Sequence, residues 1–368
     1  MTAAKTLIPP RLSWTVLAPP LALALLLLLW GHQLSTVPAI GVAIALGTAV
    51  MAAVHHAELV AHRIGEPFGS LVLAVAVTII EVALIVTMMS AGGQGATTLA
   101  RDTVFAAVMI TCNGIVGASL VAGALRTGLV NFNAEGAGGA LATVTTLAVT
   151  CLVLPTFTVS DPGPRFTGPQ LAFAAVASIC LYVLFVVTQT VRHRNFFLPV
   201  DEQGDLLGED AHSEPPTNRA ALLSLGLLLV SLVAVVGLAK IESPVIESAV
   251  SAVGFPPSFV GVVIALLVLL PETLAAVRAA QRNRLQISLN LGYGSAMASI
   301  GLTIPTLAVA TIWLDTPLEL GLGEVQMALL ALTVITSVLT VVPGRASRLQ
   351  GGVHLIIFAS FIFLAIKP

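Results

Sequence analysis

The sequence predicts an all-α polytopic membrane protein, on three observations. Of its 368 residues, 57% are hydrophobic and 9% charged, whereas a soluble domain carries about 25% charged residues. Its apolar runs reach the roughly 20 residues that a membrane helix needs. Those runs lack the alternation of strands, and backbone polar groups in lipid must be satisfied within the segment or a closed barrel. Mean hydropathy is +1.00. The net charge of −2 offers no basic surface for nucleic acid. Cys112, Cys151 and Cys180 all lie in apolar runs, and an odd number there makes no disulfide framework.

About eleven spans follow, at 12–31, 35–54, 68–91, 103–125, 138–159, 169–191, 219–240, 256–280, 286–311, 324–342 and 351–366. The first, "LAPPLALALLLLLW", has the look of a signal-peptide core. The residues after Trp30, "GHQLSTVPAIG", carry no clear small-x-small cleavage site, so an uncleaved helix is expected. With a cytoplasmic N-terminus, twelve of the sixteen Lys and Arg residues fall inside. Only Arg101, Arg165, Lys240 and Lys367 fall outside. That bias follows the positive-inside rule and puts the C-terminus on the external side.

Beyond the first helix, ten spans divide into two sets of five, 35–191 and 219–366. An odd number per set turns the second set over relative to the first. Such inverted-topology repeats are common in secondary transporters with midplane sites. The linker 192–218, "RHRNFFLPVDEQGDLLGEDAHSEPPTN", is the one long polar stretch, and the charge count makes it cytoplasmic.

Within "VTIIEVALIV", Val77 to Val86, Glu81 sits among apolar residues. The corresponding helix of the second set reads "VGVVIALLVLLPETLAAVRAAQ" and holds Glu272. Pro271 before it removes a backbone donor, and a break or kink is expected there. A charge at mid-bilayer costs roughly 2.5–3.5 kcal/mol on insertion scales. Two such costs on equivalent helices point to one shared site.

The next helix of each set supplies neutral oxygens: Thr111 and Asn113, then Ser288, Asn290, Ser295, Ser299 and Thr303. Gly114, Gly117, Gly292, Gly294 and Gly301 lie beside them and would let helices approach closely. A Ser, Thr or Asn in a membrane helix also readily bonds backbone or a neighbouring helix, and a buried glutamate can be a neutral, hydrogen-bonded acid. Two carboxylates with neutral oxygens suit a hard cation such as calcium. The segments around the two glutamates contain no Cys or His for a softer metal. Facing carboxylates in a poorly solvated site cannot both stay ionised alone. One divalent cation or two protons would each neutralise them, which is the requirement for exchange.

The segments "EPFGSLVLAVAVTIIEVALIV", "RDTVFAAVMITCNGIVG" and "LLPETLAAVRAAQRNRLQISLNLGYGSAMASIGLTIP" resemble the ChaA-type bacterial calcium(sodium, potassium)/proton antiporters of the cation/calcium exchanger superfamily. The resemblance implies two inverted repeats, each with an essential acidic residue for cation and proton, here Glu81 and Glu272. Asn113 and Ser295 match polar positions on the following helices. It also implies a bacterial inner membrane. Vacuolar-type relatives carry Gly-Asn-Ala-x-Glu in both repeats, whereas Thr78 and Leu269 stand at the Asn positions here. Side-chain amide ligands are thus missing, and strict calcium selectivity is not implied.

The expected function is therefore a secondary antiporter, not an enzyme, exchanging a cation for protons by alternating access. Calcium comes first, sodium or potassium second. The expected site is Glu81 and Glu272, as cation ligands, with Asn113, Ser295, Thr111 and Ser299. Its partners are inorganic cations, protons and lipid, with no nucleic acid and no cofactor. The sequence shows no Gly-rich Lys-Ser/Thr phosphate loop. In "HHAELVAHRIGEPFG", His55, Glu58 and His62 read as a cytoplasmic interfacial helix, and the resemblance allows them a gating or pH-sensing role. A rival reading makes them the zinc site of an intramembrane metalloenzyme, although His-Glu-x-x-His is absent. A second rival, a carrier of organic substrates, lacks mid-span Lys or Arg. Asp201, Glu202, Asp205, Glu209, Asp210 and Glu214 form an acidic linker that could concentrate cations.

Overall fold

Helices fill each apolar run, and side-chain caps set several of their starts. The computed structural model describes residues 13–32, 36–65, 68–92, 95–200, 216–313 and 316–368. The acidic linker positions from Asp201 to Glu214 lie outside the described residues. The first half contains α1 (Trp14–Leu29), α2 (Thr36–Ile64), α3 (Phe68–Ala91), α4 (Leu99–Met109) and α5 (Val116–Thr127). After strand β1 (Leu129–Asn131) come α6 (Ala134–Ala148), α7 (Leu154–Phe157) and α8 (Gly168–Val187). The second half contains α9 (Asn218–Ala252), α10 (Phe259–Gln281), α11 (Leu285–Gly301), α12 (Thr303–Ala310) and α13 (Glu324–Val341). Strand β2 (Arg345–Ser347) then leads into α14 (Arg348–Ile366). Among the described residues, nine helical stretches are long and apolar enough to cross a membrane, and two more apolar helices are shorter.

The caps are local chemistry. The Asn133 side chain accepts from the backbone N–H groups of Glu135 and Gly136 at 2.9 and 3.0 Å, satisfying orphan donors at the start of α6. Thr167 and Gln170 form a capping pair at α8, with the Thr167 N–H donating to Gln170 Oε1 at 2.9 Å, and Pro169 sits in the first turn. Ser347 accepts from the Leu349 N–H at 3.2 Å to open α14.

Two expectations are corrected. The second span does not stop at 54 with a separate interfacial helix behind it. α2 runs on through His55, Glu58 and His62 to Ile64, because no glycine or proline interrupts the chain between Gly47 and Gly65. Gly65, at φ +78°, ends it in the conformation that glycine adopts without strain. The expected break at Pro271 is absent, and α10 is continuous from Phe259 to Gln281. One missing donor is tolerable where neighbouring helices re-satisfy the freed carbonyl. The irregularities lie on the adjacent spans instead. A π-helical turn, Ile110–Ile115, joins α4 to α5, and the chain breaks at Leu302 between α11 and α12.

Arg63 Nε donates to Asn218 Oδ1 at 2.7 Å. The C-terminal end of α2 therefore meets the N-terminal end of α9, and these long helices pack extensively and antiparallel. The stretch Leu99–Arg126, comprising α4, the π turn and α5, is the most buried of the nine. It packs against α10, α11 and α14. Small residues permit this. A Cβ on Gly117 would lie 3.0 Å from the Gly351 carbonyl oxygen, and one on Gly261 would lie 2.8 Å from the Thr103 backbone nitrogen. β1 and β2 pair antiparallel, Val130 opposite Ala346, and tie a loop of the first half to one of the second. Large apolar side chains such as Leu21, Phe173 and Phe363 are exposed on the outer faces, as lipid contact requires.

Candidate functional site

Glu81 on α3 is buried. Ser299, from α11 of the other half, donates its hydroxyl to Glu81 Oε1 at 2.5 Å. Thr303, one turn further on, places its hydroxyl beside the same carboxyl without completing a hydrogen bond. The break at Leu302 falls between these two residues. A carboxylate of the first half is thus held by the broken helix of the second.

Glu272 on α10 is 9% exposed, and its Oε2 has no hydrogen-bond partner. It lines a cavity of about 230 Å³ together with Tyr182, Gln189, Asn290 and Ser295. That volume admits several waters, and polar groups are present to hold them. Glu81 is not among the cavity's lining residues. α11 reaches both carboxyls, through Ser299 at Glu81 and Ser295 in the Glu272 cavity. The Glu272 cavity reaches toward the membrane end marked by Arg192 and Arg284, since Gln189 and Ile287 line it.

The other expected site residues divide. Ser299 joins Glu81, and Ser295, one turn earlier on α11, joins the Glu272 cavity. Thr111 donates to the carbonyls of Ala107 and Val108 within its own helix, at 2.7 and 3.1 Å. Asn113 turns away from the glutamates. Its Nδ2 donates to Thr333 Oγ1 on α13 at 2.9 Å, and its Oδ1 lies 3.1 Å from His354 Nδ1 on α14. Because an amide oxygen only accepts, the proton of this contact sits on Nδ1. His354 Nε2 meets Thr340 Oγ1 at 3.1 Å. Asn113 thus belongs here to a buried polar seam between the central helix and the last two helices. Ser288 donates to the Ala276 carbonyl at 2.6 Å, fastening α11 to α10. Asn290 donates to the Phe197 carbonyl at 2.7 Å.

Of the α2 trio, His62 and Glu58 are exposed and His55 is half-buried. His55 packs edge-on against the His56 ring, with centroids 5.5 Å apart. Among the described residues no group of three His, Cys, Asp or Glu side chains converges as a metal site would. The rival metalloenzyme thus has no assembled site in the described residues. Sequence reading missed the partners Thr333, Thr340 and His354. The available signal was a histidine in the last apolar run, and Thr333, Ser337 and Thr340 at i, i+4, i+7 on one helix face.

The chain matches the family described as "Sodium/calcium exchanger protein" over residues 34–191 and 223–367. It is 46% identical, over 87% of its length and 86% of the relative's, to y4hA of Sinorhizobium fredii, which is named only as a candidate ionic transporter. It is 32% identical to the sodium-potassium/proton antiporter ChaA of Escherichia coli, over 98% of this chain and 99% of that protein. Among solved structures, the H+/Ca2+ exchanger CAX superposes with a TM-score of 0.69 at 16% identity, covering 95% of this chain and 88% of that one. At that identity the likeness is one of fold.

Proposed function

The chain belongs to the sodium/calcium exchanger protein family, and on that premise we propose that it is a secondary antiporter exchanging a cation for protons at Glu81 and Glu272. The observation that carries the reading is the 2.5 Å bond from Ser299 to Glu81. It joins the acidic helix of one half to the polar helix of the other, while Glu272, on the equivalent acidic helix, keeps an unpartnered oxygen beside a polar cavity.

The mechanism follows from charge. Two carboxylates close enough to interact are neutral together when they hold one divalent cation or two protons. Either load lets the site change the side it faces without carrying net charge through the bilayer. The empty, doubly ionised site is penalised. Cation release on one face therefore requires proton uptake there, and the reverse holds on the other face. Ser299 supplies a hydroxyl that can donate to an ionised Glu81 or accept from a protonated one. The cavity along Glu272, on the side of the arginine-rich ends, fits a conformation open toward the cytoplasm, with the N-terminus and the linker on that side.

Calcium is the cation that two carboxylates suit best. A second reading, sodium or potassium, is favoured by Thr78 and Leu269, which leave the glutamates without side-chain amide ligands, and by the name of the full-length relative ChaA. Proteoliposomes with an imposed pH gradient, given calcium, sodium and potassium in turn, test the function. Cation-driven proton flux is expected. Its absence with all three cations would overturn the assignment.

A further inference from the structure

One tyrosine touches the surroundings of both buried carboxyls. Tyr182 is 4% exposed on α8, on the helix face that also carries Ser178 and Phe185. α8 packs against α11 and α12, on both sides of the break at Leu302. A Cβ on Gly301, the residue before the break, would lie 3.0 Å from the Tyr182 Cβ and 3.5 Å from the Ser178 carbonyl oxygen. Glycine is what lets α8 come this close. The stem of Tyr182 thus rests against the turn that carries Ser299 to Glu81. The same residue lines the Glu272 cavity.

That cavity has a direction. Its wall runs along α11 from Ile287 to Ala298, along α8 from Gln189 back to Tyr182, and along α3 from Ala74 to Val77. It ends at Val77, Tyr182 and Ala298, each one step short of the capped carboxyl. Val77 is one turn before Glu81, Ala298 is next to Ser299, and Tyr182 lies against Gly301. Glu81 is outside the lining. Val77 and Ala298 are small and belong to the helices that bear Glu81 and Ser299 themselves. Tyr182 is the large side chain at this end, and it comes from a third helix.

We infer that Tyr182 is the partition of the exchange site, a positioning residue whose ring keeps solution in the Glu272 cavity from reaching Glu81. The inference rests on the proposed exchange at the two glutamates. The partition gives that exchange its coupling. An empty site with two ionised carboxyls is held back because Glu81 is poorly solvated. With the ring gone, water from the cavity reaches Glu81 and stabilises its ionised form. The empty site then passes between faces, and cation crosses without its protons. The bulk of the ring does this, and the hydroxyl is dispensable for it.

The test uses the full chain in sealed vesicles of one orientation, with the Arg192 end outermost. For labelling, Cys112, Cys151 and Cys180 are replaced by serine, and Ala298→Cys or Ser299→Cys is added. A membrane-impermeant methanethiosulfonate should modify Ala298→Cys and spare Ser299→Cys. Tyr182→Ala should abolish that protection, and Tyr182→Phe should retain it. In the chain with its own cysteines, cation and proton fluxes are measured together, with calcium, sodium and potassium each tried. Tyr182→Ala should lower the protons moved per cation by about half or more, and Tyr182→Phe should hold the wild-type ratio. A loss of folded protein lowers both fluxes and leaves their ratio alone. Tyr182→Val carries the same expectations where Tyr182→Ala fails to assemble. Modification of Ser299→Cys with Tyr182 in place, protection of Ala298→Cys, or an unchanged flux ratio in the small variants overturns the inference. No exchange by the wild type overturns the function it rests on, while the labelling still decides the partition.

Discussion

Glu81 on α3 and Glu272 on α10 are both buried, yet their surroundings differ. Glu81 is sealed among apolar neighbours and held by a hydroxyl from the other half. Glu272 borders a cavity and leaves an oxygen without a partner. If the two halves were arranged identically about these residues, both carboxyls would be capped or both wetted. One carboxyl is capped and the other borders a cavity, so the surroundings of the two are not the same. The contrast teaches that a hydroxyl from the other half and an open cavity are two different ways to surround a buried carboxyl, and that this structure holds one of each.

Glu81→Gln and Glu272→Gln should each abolish exchange, a loss of at least about a hundredfold, with near-normal expression. Glutamine keeps the size and hydrogen bonding but cannot lose a proton. Normal cation-driven proton flux through either variant would break the contrast by removing one of its members from the site.

The next effect concerns the two serines of α11. Ser299→Ala removes the donor to Glu81, and a hydrogen bond to a charged group is worth about 1.5–3 kcal/mol, so apparent cation affinity should fall by about tenfold or more. Ser295→Ala, in a cavity where water can replace the hydroxyl, should cost at most about threefold. Cation titration of uptake checks both. Equal effects would mean that the two surroundings do not differ in the working protein.

Apparent cation affinity should also weaken as pH falls. Protons and cation compete for the same carboxylates, so below their titration range each competing proton weakens affinity by up to about tenfold per pH unit. The sign is fixed: the ionised form binds cation, and acid depletes it. Uptake measured against cation concentration at several pH values would sharpen the comparison, since two competing protons give a steeper slope than one. An affinity independent of pH would place proton binding elsewhere.

The smallest effect belongs to the acidic linker. Neutralising Asp201, Glu202, Asp205, Glu209, Asp210 and Glu214 should raise the half-saturating cation concentration by about twofold at low salt. That difference should vanish at high salt, where the screening length drops to about 3 Å. Loss of all exchange at saturating cation would instead make the linker part of the transport cycle.

The glutamates and α11 serines were legible because a polar group in an apolar run carries its cost on its face, and composition alone exposes it. Ten residues of continuous helix beyond the expected end of α2 were hidden by the apolar-length criterion, which His55, Glu58 and His62 fail although their backbone is helical. The π turn at Ile110–Ile115 leaves no compositional trace, since one extra residue in a turn does not change how apolar the run is. It lies in the helix that presents Thr111 and Asn113, and the partners of Asn113 depend on which way that turn rotates the amide. Pro271 shows the converse. The proline beside the glutamate sits in an unbroken helix, and the break occurs at Leu302, between Gly301 and Pro305, where Pro305 has no N–H to bond the Gly301 carbonyl.

The three-residue ladder between β1 and β2 has a consequence for how the chain holds together. Leu129–Asn131 and Arg345–Ser347 are separated by more than two hundred residues of sequence, yet they share backbone hydrogen bonds. Arg126 adds a bond to the Gln281 carbonyl at 2.6 Å. These bonds brace the two halves without the covalent thread between them. A protease cut within residues 201–215 should leave two fragments that migrate and purify as one particle in detergent. Separation of the fragments on size exclusion would show that the braces are too weak to replace the thread.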